Sequence, residues 1–214
     1  MKARLSRVES TRQNREAVLE AARRAFFRSG YHGASVDTIA EAAGFSKGVV
    51  YSQFGSKDEL FLALLEERIE ERRRGSAALA ESLSGPEGVR TVFCDAMAVT
   101  AESVAWQRLL LEFRAHAARH PEVLARYAAL HERTISGTAD VLASLYRRAG
   151  TREPLPPRML AVIALAMSTG LAAELLADPA LDAQALARRV ADGLVRPPST
   201  GRPAGRARRR RSSA

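Results

Sequence analysis

Apolar residues recur at three- and four-residue intervals along almost the whole chain. No convincing alternating stretch interrupts them, so the pattern predicts helices and no sheet. Val18, Ala22, Ala25 and Phe26 form the stripe of a first helix, opened by a Ser10-x-x-Gln13 capping box and stopped at Gly30. Ser35 caps a short second helix with Val36, Ile39, Ala40 and Ala43 on its buried face. Gly44 and Phe45 make a tight turn, Ser46 caps a third helix that reaches Phe54, and Gly55 ends it. Ser56-Lys57-Asp58-Glu59 is another capping box. It starts a fourth helix running through Leu60, Phe61, Leu64, Leu65 and Ile69 towards Arg74-Gly75.

Further helices are expected around Val89–Val104 and Gln107–Arg119, the latter stopped before Pro121, and from Glu122 to about Arg148. A proline-punctuated connection, Gly150–Pro157, leads to two Ala/Leu-rich helices near Pro157–Leu176 and Asp182–Val195, and Pro197-Pro198 breaks the last. The expected organisation is all-α: a flexible basic arm over 1–9, a three-helix head over 10–56, a larger helical bundle over 57–195 and a disordered Arg-rich tail over 196–214.

Composition agrees with helices. Alanine supplies 40 of 214 residues and aromatics only 6%, whereas strands favour β-branched and aromatic side chains. The net charge of +9 is uneven: +3 over 1–62, −1 over 63–195 and +7 over 196–214. Basic ends attract nucleic acid or an anionic membrane without choosing a sequence. A lone Cys94 excludes an intrachain disulfide framework. The N-terminus lacks a secretory apolar region, and the stretch Met159–Ala173 is shorter than the roughly 20 residues of a membrane span. A soluble cytoplasmic protein with no membrane partner is expected.

Residues 35–57 carry the chemistry. Ala40, Gly44 and Val50 are the skeleton of a helix-turn-helix: a small residue under the crossing, a left-handed turn, and an apolar residue packing back. In such a pair the second helix enters the DNA major groove. Ser46, Lys47 and Gly48 lie at its N-terminus, where free N–H groups favour phosphate. Gly48 costs about 1 kcal/mol of helix stability relative to Ala, which suggests close approach of a partner. Tyr51, Ser52 and Gln53 add groups that bind phosphates or base edges, and Lys57 offers a second phosphate anchor. The plainer alternative is a helical hairpin with a solvated polar face.

Residues 11–69 resemble the N-terminal domain of the tetracycline-repressor (TetR) family. The resemblance is carried by Phe26/Phe27, Gly30-Tyr31, Ile39-Ala40, Ala43-Gly44, Ser46-Lys47-Gly48, Tyr51, Phe54 and Ser56-Lys57-Asp58-Glu59-Leu60. It implies a homodimeric transcriptional regulator, usually a repressor, with two heads on a palindromic double-stranded operator. A small molecule bound in the larger domain then moves the fourth helix and spreads the heads. Ser46, Lys47, Gly48, Val49, Tyr51, Ser52 and Gln53 would face DNA, with Ser35, Thr38 and Lys57 at phosphates. Ser52 departs from the aromatic or bulky residue the family often places after the helix Tyr.

In the bundle, Phe93, Met97, Trp106, Phe113, Tyr127 and His131 are large groups that would line an effector cavity or serve as ordinary core. Leu160, Ile163, Met167, Gly170, Leu171, Leu186, Val190 and Leu194 suit a four-helix dimer seam, with internal packing the alternative. Glu112, His116 and His120 share one helical stripe, but the stripe lacks the usual zinc motif and reads as a solvated polar face. No metal, cofactor or catalytic constellation is expected, nor an enzyme. Arg208–Arg211 looks like an arm that adds non-specific DNA affinity. The main reading is therefore a ligand-released repressor, and its rival is a regulator of the same fold without a small ligand.

Overall fold

The structure, a computed structural model, describes residues 7–98 and 100–195. Among them every regular element is helical: α1 Arg7–Gly33, α2 Val36–Ala43, α3 Lys47–Phe54, α4 Lys57–Ser82, α5 Gly85–Ala96, α6 Ala101–Ala117, α7 Pro121–Ala149, α8 Pro157–Ala177 and α9 Ala183–Val195. The tail expected over 196–214, with its Arg208–Arg211 run, lies outside the described residues, as does the arm before Arg7.

The short elements of the head follow their local signals. The Ser35 hydroxyl accepts the Thr38 N–H at 3.1 Å and the Ser56 hydroxyl accepts that of Glu59 at 3.1 Å, each satisfying an orphan donor of a first helical turn. Gly44 closes α2 in the left-handed conformation. At Gly30 φ is +72°, and the regular geometry of α1 breaks there.

Three boundaries differ from the sequence pattern. Helix α1 already runs from Arg7, so Ser10 lies inside it rather than capping it. Gly75 does not end α4, which continues to Ser82. Ala77, Ala78 and Ala80 are strong helix formers and Ala80 is buried, which outweighs one glycine. The stretch read as one helix from Val89 to Val104 is two. Thr100 and Ser103 form a reciprocal capping box at the new start of α6: the Thr100 hydroxyl accepts the Ser103 N–H at 3.1 Å and the Ser103 hydroxyl accepts the Thr100 N–H at 2.7 Å. The apolar rhythm crosses the break unbroken because Met97 and Trp106 are both buried, though in different cores.

The first core joins α1, α2 and α3 to the start of α4, the second half of α6 and the start of α7. The second gathers the end of α4 with α5, the end of α7, α8 and α9. Helix α4 is thus common to both.

Candidate functional site: head, joint and cavity

On the head, Thr38, Ser46, Lys47, Gly48, Tyr51 and Ser52 are exposed, Ser35 and Val49 half-exposed, while Val50 and Phe54 anchor α3 inward. The face carries no acid on α3 itself. Nothing internal demands glycine at 48: a Cβ there would meet only the Ser46 hydroxyl at 3.9 Å. A helix-weakening residue with open space outside is what close approach to a partner would require. Lys47 is poised rather than free. Its ammonium sits 2.8 Å from Asp37 on α2, which raises its pKa by hydrogen bonding first and charge second, and 5.9 Å from the Tyr51 ring. The pattern of the sequence did not reveal that pair. Gln53 is half-buried, with its Oε1 buried and unpartnered.

Lys57 has internal partners that the sequence did not suggest. Its ammonium donates to the Tyr31 and Ala34 carbonyls at 2.9 and 3.2 Å and lies 4.6 Å from the Tyr31 ring. Partial burial lowers its pKa. The carbonyls at the end of α1 have no helical partners, and a cation starting the next long helix satisfies them.

Glu112 and His116 are not a solvated face; they hold the head to the body. The Glu112 carboxylate accepts the Tyr31 N–H at 2.8 Å, and a Cβ on Gly30 would come within 2.6 Å of that carboxylate. Nε2 of His116 lies 3.0 Å from Asp58, which also takes a hydrogen bond from the Tyr31 hydroxyl. The His120 ring lies 4.3 Å from that of His116, tilted by 33°, and is exposed. Among the described residues no group of three or more His, Cys, Asp or Glu is arranged to hold a metal ion.

A cavity of about 130 Å³ opens between the cores, walled by α4, α5, α6, α7 and α8. Trp106, Tyr127 and His131 line it. Phe93, Met97 and Phe113 do not: each is fully buried in a core, because their helices turn those positions away from the opening. Sequence reading missed the polar part of the wall. Ser103 and Ser168 are buried polar residues of the fold and both face this space, as do Gln107 and Thr169. Gln107 donates to the Ser168 hydroxyl at 3.2 Å and accepts from Thr169 at 3.0 Å. Burial, then the Arg114 cation, lower the His131 pKa. Cys94 lies apart, its thiol pushed up by burial, which argues against a reactive thiolate.

Helix α8 spans 21 residues and by length and composition alone could cross a membrane, more than its core stretch suggested. Here Leu160, Ala161, Ala164, Ser168, Leu171 and Ala172 are buried against the bundle. Of the residues proposed for a dimer seam, Leu160 and Leu171 therefore point into the protomer's own core, while Ile163, Met167, Val190 and Leu194 pack partly against it. Gly170 and Leu186 are exposed. The outward apolar positions are Met159, Val162, Leu176 and Leu186, at 51, 43, 54 and 42% exposure. Counting apolar residues along α8 cannot distinguish its two faces, since both are apolar.

Comparison with known proteins gives concordant matches. Residues 18–64 match the model of bacterial regulatory proteins of the tetR family, and residues 86–196 match that of the BetI-type transcriptional repressor C-terminal domain. The HTH-type transcriptional repressor AcnR of Corynebacterium efficiens is 34% identical over 53% of this chain and 56% of its own length. The chain thus spans little more than half of that relative. The HTH-type transcriptional regulator UidR of Escherichia coli is 27% identical over 77% of this chain and 82% of its own. A crystal structure described as a TetR-family regulator from Rhodococcus sp. superposes with a TM-score of 0.71 at 24% identity, covering 86% of this chain and 98% of that one.

Proposed function

The chain belongs to the tetR family of bacterial regulatory proteins, and from that premise we propose that it acts as a homodimeric DNA-binding repressor released from a palindromic operator by a small amphipathic molecule. The observation that carries this reading is the position of the cavity. Its wall includes Leu65, Arg68, Ile69, Arg72 and Arg73 of α4, the helix that begins beneath the recognition helix and runs into the second core. A ligand that wedges this wall would tilt α4, and α4 carries the head with it through Lys57, Asp58 and Phe61. A ligand can shift the equilibrium only by its differential affinity for two arrangements, and a cavity at a seam between cores offers that difference.

DNA contact would fall to Lys47, Gly48, Val49, Tyr51, Ser52 and the half-buried Gln53, with Ser35, Thr38 and Ser46 near phosphates. Releasing Lys47 from Asp37 to a phosphate exchanges one partner oxygen for another. DNA as partner implies a cytoplasmic place of work. Two copies are supported by Met159, Val162, Leu176 and Leu186, large apolar side chains exposed on two successive helices, because a second copy would cover them. Covering Val162, Leu176 and Leu186 with a second copy of the same face gives an isologous interface and spaces two heads for two half-sites.

Selection of an operator from random DNA, followed by gel-shift titration at fixed salt, tests the reading. Tyr51→Ala and Lys47→Ala should weaken binding with helicity intact; wild-type affinity in both would place the DNA face elsewhere. Val162→Glu combined with Leu176→Glu should give folded monomers in sedimentation equilibrium and lose operator affinity. An unchanged dimer mass would move the interface off this face.

A further inference from the structure

The charge on the cavity wall is one-sided. Arg68, Arg72, Arg73, Arg114 and Arg133 line it with His131, and among the described residues no Asp or Glu does. Three of these guanidiniums already have carboxylate partners: Arg68 with Glu102 at 3.1 Å, Arg73 with Glu70 at 2.8 Å and Arg133 with Glu66 at 2.5 Å. Among the described residues Arg72 and Arg114 have none. Arg72 reaches only the backbone oxygen of Asp95 at 3.4 Å, and Arg114 donates its Nε–H to the Tyr127 hydroxyl. Both are half-buried.

A guanidinium on a cavity wall with no carboxylate partner is open to an anion from outside, and this cavity carries two. The rest of the wall matches an amphiphile. Leu65, Ile69, Val92, Val141 and Leu165 supply apolar area. Trp106, also on the wall, buries its indole Nε1 with no hydrogen-bond partner. Resting on the reading of this cavity as the effector site, we propose that the effector is an anionic amphiphile whose carboxylate or phosphate head is held by Arg72 and Arg114 and whose apolar body lies along Leu65, Ile69, Trp106 and Leu165. Guanidinium suits either head because its planar fork can give two parallel N–H donors to two oxygens. His131, stacked on Tyr127 and kept from protonation by burial and by Arg114, adds a neutral polar edge beside the head.

The chain contains one tryptophan, so the fluorescence of Trp106 reports on the cavity directly. The full chain is titrated with decanoate, decyl phosphate and decanol below their aggregation limits. At least one anion should bind saturably and roughly ten- to a hundred-fold more tightly than decanol, the usual worth of a charge-assisted contact. Whichever anion is tighter identifies the head group. Arg72→Gln and Arg114→Gln should remove the advantage of the anion while leaving decanol binding unchanged. Arg114→Lys should retain part of it, and Arg24→Gln, off the cavity with Glu20 as its partner, should change nothing. Equal binding of decanol and both anions, an advantage that survives both Gln variants, or no binding of any of the three overturns the proposal. Repeating the titrations on the operator complex separates the two ideas. An anion that binds through both arginines but leaves DNA bound keeps the anion site and sinks ligand release. Decanol binding alone, with DNA freed, does the reverse.

Discussion

Around Phe113 the packing is ring against ring, with centroids 4.3 Å from Phe61, 5.1 Å from Tyr31 and 5.9 Å from Tyr127. Around Leu160, in the other core, the neighbours are mostly leucine, valine and alanine, with Phe93 and Tyr146 the large exceptions. Aromatic pairs prefer particular offsets and edge-on geometries, so the first core fixes how α1, α4 and α6 sit against one another. Small aliphatic surfaces impose weaker directional preferences. The contrast predicts that the head, the first half of α4 and the end of α6 move as one body, and that a rearrangement takes place at the seam where the cavity lies.

The largest effect should come from removing the centre of the aromatic core. Phe113→Ala is expected to cost about 3–5 kcal/mol by loss of transfer energy and a residual cavity. Its DNA affinity should fall as well, because the joint to the head loosens. Leu160→Ala should cost about 2–5 kcal/mol, with the head left in order. Urea unfolding followed by circular dichroism, alongside gel shifts, compares them. If Leu160→Ala impaired DNA binding as much as Phe113→Ala at matched folded fractions, the two cores would not be mechanically distinct.

A smaller loss is expected from Lys57→Ala. The variant leaves the Tyr31 and Ala34 carbonyls without their cation, and unsatisfied buried acceptors cost about 1–3 kcal/mol each. Lys57 is only half-buried, so the low end applies. The midpoint of thermal unfolding should drop, and any DNA effect should follow from the loosened head. Unchanged stability with weaker operator binding would instead restore Lys57 as a phosphate anchor.

The same contrast explains what could be read in advance. In the head, short helices, polar caps and glycine turns are local devices, so Ser35, Gly44, Ser56 and the buried face Val36, Ile39 and Ala40 follow from spacing alone. The body gives fewer local signals. Its helices are rich in alanine, and α8 is apolar on both sides, so the sequence could not say that Leu160 turns inward and Val162 outward. Nor could it show that Phe113 completes the aromatic core of the head from α6, because its ring contacts with Phe61 and Tyr31 span 52 and 82 residues of chain. The arginines of the cavity come from α4, α6 and α7 and look like ordinary surface charge until the helices bring them together. Charge on one wall is a tertiary property.

The smallest effect concerns the seam itself. His131 has its pKa lowered from the ordinary value of 6.5, first by burial and then by Arg114 on α6, with Glu132 on its own helix opposing. A histidine depressed in the folded state binds fewer protons there than when unfolded. Its contribution to stability is therefore complete above about 6.5 and is lost as pH falls through the lowered folded value. Thermal midpoints measured from pH 8 down to pH 5 should fall more steeply for the wild type than for His131→Gln, the difference beginning near 6.5. His32, His116 and His120 are present in both proteins, so whatever they contribute cancels in the comparison. Saturating decanoate should shrink the difference, since an anion at Arg114 opposes the push that keeps His131 neutral. Parallel curves without ligand would show that the burial of His131 at the seam carries none of the acid sensitivity.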